Sequence, residues 1–310
     1  MNTTRRTLLI GAASGAGLLA LSGCRSINPE RLGKAADGFA NVDQSPVVEA
    51  GPIATTVPSS PILDDIRKRG ALRYSGTDTL PGFSQRSPVT RRLTGFDAGI
   101  AMLFAKYILG EPNLEFSKSG ADTREAALQN HSVDATIATY SITPNREKLV
   151  NFAGPYLTVT SGIACQAGDT SIHRSSDLAG RDVAVQPGAA EEALVREVPA
   201  ARPVRFEESA QCFSALQQAR VNAWVANTAI LTSRASTDTR TELTDLRFGR
   251  SPFGIGLPKD DPVIKDFANT FINTIAADGT WQALWDATAG TVDRVTNPEP
   301  PLTDAATGGE

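Results

Sequence analysis

The run Ala138-Thr139-Tyr140-Ser141-Ile142-Thr143-Pro144-Asn145-Arg146-Glu147-Lys148 brings hydroxyls, a helix-start signal and a guanidinium into one short stretch. Thr143 suits an N-cap and Pro144 the first helical position, so Asn145 and Arg146 fall in the first turn. A guanidinium gives a carboxylate two parallel, charge-assisted hydrogen bonds. Placed with hydroxyls and backbone donors at the carboxyl end of a strand, it suits a small anion, because ligands of open α/β sheets sit at that end. Taken alone, without its flanking pattern, Arg146 reads better as a solvated helix-start residue pairing with Glu147.

Catalytic patterns are weaker. The two histidines, His131 and His173, lack metal-ligand spacing and read as surface loop residues. No Gly-x-Ser-x-Gly elbow and no glycine-rich phosphate loop precedes a helix, and no cofactor is implied. The acidic pairs Asp64-Asp65, Glu191-Glu192 and Asp260-Asp261 read as solvated helix starts that complement the dipole. With a formal net charge of -4, the chain has no electrostatic case for nucleic acid.

The elements that must position these residues alternate. A short helix over 64–69 ends at Gly70 and leads into a strand over 71–75. Phe96, Ile100, Leu103, Phe104, Tyr107 and Ile108 recur on one helical face, closed by Gly110. A strand over 114–117, a helix over 123–130 and a strand over 133–138 follow. A second unit repeats the order: strand 181–186, the turn Pro187-Gly188, and a helix over 189–198 whose first amides could hold an anion. Then come an extended segment 203–206, a helix 209–219, a strand 222–226 ending at Asn227, and an extended run 247–257. Val263, Phe267, Phe271 and Ile275 mark a last long helix before Trp281, Leu284 and Trp285, which are expected in the core. The fold class is therefore α/β with a mainly parallel sheet.

At the amino end, Arg5-Arg6, an apolar run over 8–20 and Leu21-Ser22-Gly23-Cys24 form a secretory signal ending in a bacterial lipobox. The pair Arg5-Arg6 fits a twin-arginine or an ordinary export signal. Lipidation is assigned to Cys24, with the protein held on the extracytoplasmic face of the cell membrane. Residues 24–60, interrupted by Pro29, Pro46, Pro52 and Pro58, read as a tether, and 291–310 as a disordered tail. Cys165 and Cys212 either pair as a disulfide in an oxidising exterior or stay as two buried thiols.

Between these ends, over about 62–289, the chain resembles the bacterial extracellular solute-binding proteins of family 3, the type II periplasmic binders of polar amino acids that feed ABC importers. The carriers are Thr77-Asp78-Thr79, Gly95-Phe96-Asp97, the run 138–148, Val150-Asn151-Phe152 with Gly154-Pro155-Tyr156, and Asp278-Gly279-Thr280-Trp281. The resemblance implies a two-lobed molecule: signal peptide 1–23, tether 24–60, lobe 1 from 61–157 and 250–290, and lobe 2 from 158–249. The crossing segments are placed near 156–162 and 249–254, and ligand closes the lobes by hinge motion.

In this resemblance Arg146 grips an α-carboxylate, and Thr139 and Ser141 add hydroxyl or backbone contacts. Asp78 and Phe83 stand where the family places a selectivity group and an aromatic wall. Gln186, Gly188, Ala189 and Asn227 form the lobe 2 side. Asn227 replaces an aspartate that many relatives turn to the ligand ammonium, and Gly120 and Ala121 stand where a second aromatic is common. The implied activity is capture of glutamine, asparagine, glutamate, aspartate or a related small carboxylate, with Asp78 leaning the choice toward amides. The implied partners are ABC permease subunits and, through Cys24, the membrane, with a monomeric receptor. The alternatives are a lipoprotein that signals to a membrane sensor and, more remotely, a ring-carboxylate dehydratase.

Overall fold

The computed structural model describes residues 42–291. The expected signal, Cys24, the beginning of the tether and most of the tail lie outside the described residues.

Helix α1 (Ser45–Ala50) and helix α2 (Pro61–Arg69) precede strand β1 (Leu72–Gly76). Ser60 caps α2 by accepting from the Leu63 amide, and Gly70 ends it at φ 75°, a left-handed cap that glycine takes without strain. A small hairpin sheet follows, β2 (Thr79–Leu80), β3 (Ser84–Arg86) and β4 (Leu93–Thr94). Next come α3 (Phe96–Leu109), β5 (Leu114–Lys118), α4 (Arg124–Gln129), β6 (Ala135–Thr136) and α5 (Pro144–Glu147). The long strand β7 (Asn151–Gln166) leads to β8 (Asp182–Val185), α6 (Ala189–Glu197), β9 (Arg202–Arg205), α7 (Ser209–Gln217), β10 (Ala223–Asn227) and α8 (Thr228–Ala235). The second long strand β11 (Thr241–Leu257) returns to α9 (Pro262–Ala277) and α10 (Thr280–Ala287).

One mixed sheet runs through the molecule in the order β5-β1-β6-β11-β7-β10-β8-β9. Its two outer thirds are parallel: β1 pairs with β5 and β6, and β8 with β9 and β10. The two long strands join them as an antiparallel ribbon, with Leu157 opposite Phe253 and Val159 opposite Ser251. The segments expected to cross between lobes therefore lie side by side as paired strands.

Aromatic packing fixes the base of the first lobe. The Phe96 ring meets Trp281 and Trp285 edge-on at 5.5 and 5.2 Å, and Trp281 donates its indole N–H to the Tyr156 carbonyl at 2.8 Å. Trp281 and Trp285 are buried, in keeping with a core role. Each such side chain contributes about 1.5–3 kcal/mol through burial, which anchors α3 and α10 against β7.

Residues 45–60 are not free tether: Val48 is buried, the Gln44 amide donates to the Leu93 carbonyl at 3.0 Å, and the Ala54 amide to the Tyr107 carbonyl at 3.1 Å. The Lys106 ammonium also donates to the carbonyls of Val48 and Glu49. A segment this short shows no amphipathic period, so its docking was invisible in the sequence.

Cys165 and Cys212 are free buried thiols, which overturns the disulfide alternative. Cys165 shares a buried cluster with Val183 of β8 and Val225 of β10, Cys212 another with Trp224 and Ala226, and the three β10 residues alternate between opposite faces of the sheet. Burial pushes the two thiols up to about 11 and about 12, so neither is an activated nucleophile.

The acidic pairs are not all solvated. Asp261 is buried and caps α9 by accepting from the Val263 and Ile264 amides. Glu191 is buried against Arg205, 2.6 Å away.

Candidate ligand-binding cleft

Thr143 caps α5 as its sequence suggests, its hydroxyl oxygen accepting from the Arg146 amide at 3.4 Å. That turn sends the Arg146 side chain into the crevice between the lobes, where the residue is 7% exposed. Its Nε donates to Glu125 Oε1 at 2.8 Å, Nη1 to the Ser141 carbonyl at 3.0 Å, and Nη2 to the Pro187 carbonyl at 2.9 Å. The guanidinium carbon lies 4.7 Å from the centre of the Tyr140 ring. One N–H on each terminal nitrogen is left over, so the guanidinium keeps a donor on each for an incoming anion.

The second lobe meets this guanidinium with backbone. Gly188 has φ 137°, and a Cβ there would stand 3.0 Å from both Nη1 and Nη2 of Arg146. Only glycine combines that conformation with so close an approach. It is the N-cap of α6 and has no side-chain cap, so the first amides of that helix face the cleft lined by Ala189 and Ala190. A helix start with open N–H groups favours negative charge.

Of the residues expected at the site, Thr139, Ser141, Arg146, Gln186, Gly188, Ala189 and Asn227 all line this cleft. Ser141 shares its hydroxyl with that of Ser251 on β11 at 2.9 Å. Gln186 gives its amide N–H to the Glu207 carbonyl at 2.9 Å, and Asn227 caps α8 by accepting from the Ile230 amide at 3.0 Å. Part of the hydrogen-bonding capacity of these two amides therefore serves lobe 2 itself.

Asp78 and Phe83 do not join them. Asp78 turns its carboxylate to Lys118 at 3.4 Å and Arg86 at 3.7 Å, so it supplies no selectivity group and no lean toward amides. Phe83 is 2% exposed and packs edge-on against Phe96 and Trp285. Both sit on the β2–β3 hairpin, whose packing against α3 turns the phenyl ring inward.

The cleft also holds a residue the sequence reading passed over. Arg124 starts α4, is 7% exposed, and leaves its Nε without a partner. Its guanidinium carbon is 5.4 Å from the Tyr140 ring centre, and it makes no ion pair among the described residues. Burial and the Arg146 charge lower its pKa. Its only signal in the sequence is an arginine in the first turn of the expected helix over 123–130, shortly after Gly120 and Ala121.

Contacts across the cleft come from both lobes. The Ala121 amide donates to the Glu207 carbonyl at 3.1 Å, and Lys118 pairs with Glu208 at 2.8 Å. Ser233 donates to the Pro81 carbonyl at 2.6 Å. Among the described residues no cluster is suited to a metal ion, and no helix is long and apolar enough to cross a membrane.

The model of the bacterial extracellular solute-binding proteins, family 3, matches residues 72–288. The chain belongs to that family. This family 3 chain is 32% identical over 215 residues to the glutamine-binding protein of Geobacillus stearothermophilus, covering 68% of the chain and 80% of that relative. It is 29% identical to the glutamate-binding protein GluB of Corynebacterium efficiens, over 65% and 73% of the two chains. Among solved structures, an ancestral arginine-binding protein bound to glutamine superposes with a TM-score of 0.65 at 29% identity, over 70% of this chain and 97% of that one. The family and these neighbours give the two-lobed, type II binding fold, and these named relatives are binding proteins rather than enzymes.

Proposed function

We propose that this family 3 protein captures a polar amino acid, with an acidic one favoured, by closing its lobes and delivers it to an ABC importer. The observation that carries the reading is the Arg146 guanidinium, buried between the lobes with one N–H free on each terminal nitrogen. The α-carboxylate takes those donors, with the open amides of α6 supporting it from the other lobe.

Arg124 supports the preference for an acid. Burying a cation without a counter-charge is costly, and a second ligand carboxylate would remove the deficit in a way an amide would not. Relatives named for glutamine and for glutamate are consistent with this range. The lipobox Leu21-Ser22-Gly23-Cys24 supports lipid anchoring outside the membrane, beside the importer's membrane subunits.

A thermal-shift screen of the purified body against L-glutamate, L-aspartate, L-glutamine and L-asparagine tests the reading. A ligand at a hundred times its dissociation constant adds about 2.7 kcal/mol to stability. L-glutamate or L-aspartate is expected to give the largest rise. No rise with any of the four contradicts the proposal.

A further inference from the structure

The loop that presents the cleft hydroxyls is held in an unfavourable conformation. Thr139 has φ 47°, a left-handed geometry that a residue with a Cβ rarely takes without outside support. Its own hydroxyl is spent on the Ala138 carbonyl at 2.7 Å, and its amide donates to Asp97 Oδ2 at 2.6 Å.

Asp97 sits in the first turn of α3, where an aspartate usually serves its own helix start. Here it is fully buried, and α3 has no side-chain cap. The carboxylate instead reaches sideways. Oδ2 takes the Thr139 amide, and Oδ1 takes the Tyr156 hydroxyl at 2.8 Å. Tyr156 lies on the long strand β7, so one carboxylate ties together α3, the cleft loop and β7.

The left-handed step at Thr139 has consequences along the loop. Thr139 and Ser141 line the cleft, while Tyr140 is buried and supports both guanidiniums. The next carbonyl, that of Ser141, orients Arg146 Nη1. An extended Thr139 would misplace the Tyr140 ring and the Ser141 carbonyl together.

We infer that Asp97 is a positioning residue for ligand binding: it never meets the ligand, but holds Thr139 left-handed and so sets the platform for Arg146 and Arg124. This rests on the proposed reading of the cleft and adds the residue that shapes it.

Two measurements test it. In amide spectra of the ligand-free chain, the Thr139 proton is expected far downfield, and Asp97→Asn should move it upfield. An unmoved resonance overturns the inference. Calorimetry with L-glutamate then compares wild type, Asp97→Asn, Thr139→Gly and the double substitution.

Asp97→Asn is expected to weaken binding about tenfold beside Thr139, the scale of one unsupported left-handed residue. In the Thr139→Gly background, where the backbone needs no help, the loss should shrink to under about twofold. Equal losses in both backgrounds mean a general structural role and overturn the inference. Should wild type bind none of the screened amino acids, the proposed ligand class fails, and the Thr139 amide alone decides the role of Asp97.

Discussion

Arg124 and Arg146 both lie over the Tyr140 ring, yet Glu125 neutralises only Arg146. Arg124 is therefore the residue expected to separate acids from amides. Arg124→Leu should cost L-glutamate about 1.5–3 kcal/mol of binding, the scale of a hydrogen bond to a charged group, and cost L-glutamine less. Equal losses in calorimetry would remove Arg124 from ligand selection.

Asp97 should also make stability depend on pH. Desolvation raises its carboxyl from 3.8 to about 7, against the lowering effects of the Tyr156 hydroxyl, the Thr139 amide and the Arg124 charge. The folded chain thus keeps a proton that the unfolded chain releases, so stability falls as pH rises from about 4 to about 7 and then levels. Urea titrations across that range should show the slope in wild type and lose it in Asp97→Asn. A slope unchanged by the substitution would contradict the assignment.

Arg146 was legible because its placement is local: a Thr-Pro helix start fixes where the fourth residue points. Phe83 and Asp78 were misread because hairpin side chains choose their direction from what packs on them, here α3 for the ring and Lys118 for the carboxylate. Arg124 was missed because a six-residue helix without a side-chain cap announces neither burial nor a facing cleft.

At the scale of elements, the alternation of period exposed most strands and helices, and glycine marked the ends at Gly70 and Gly110. Joining the strands into one sheet was not legible, since the pairing of β7 with β11 links residues about ninety positions apart in sequence. Helix α1 escaped for the opposite reason: it has only six residues and is held by tertiary contacts with α3, α10 and β4. Gly51 lies so close to α3 that a Cβ there would fall 2.2 Å from a Leu103 methyl carbon.

Val48→Asp should therefore lower stability by about 1–3 kcal/mol, the usual range for a disrupted buried contact. The loss is bounded by the ability of α1 to undock. An unchanged unfolding midpoint would show that α1 contributes nothing to the lobe.

For the whole molecule, closure is held by contacts that ring the cleft as well as by the site itself. Lys118 bridges Asp78 of one lobe and Glu208 of the other, and its side chain is 44% exposed, so salt should weaken the bridge. Lys118→Ala is expected to open the ligand-free molecule, read as a larger radius of gyration in solution scattering. Saturating ligand should restore the compact form. Identical radii without ligand would show that the bridge does not govern closure.

The central claim is that Arg146 clasps the ligand carboxylate between the lobes. Calorimetric titration of Arg146→Ala with the best ligand of the wild-type screen tests it directly. The account predicts a loss of about 2–5 kcal/mol in binding free energy with the unfolding transition of the free chain still cooperative. Binding at wild-type affinity would contradict it.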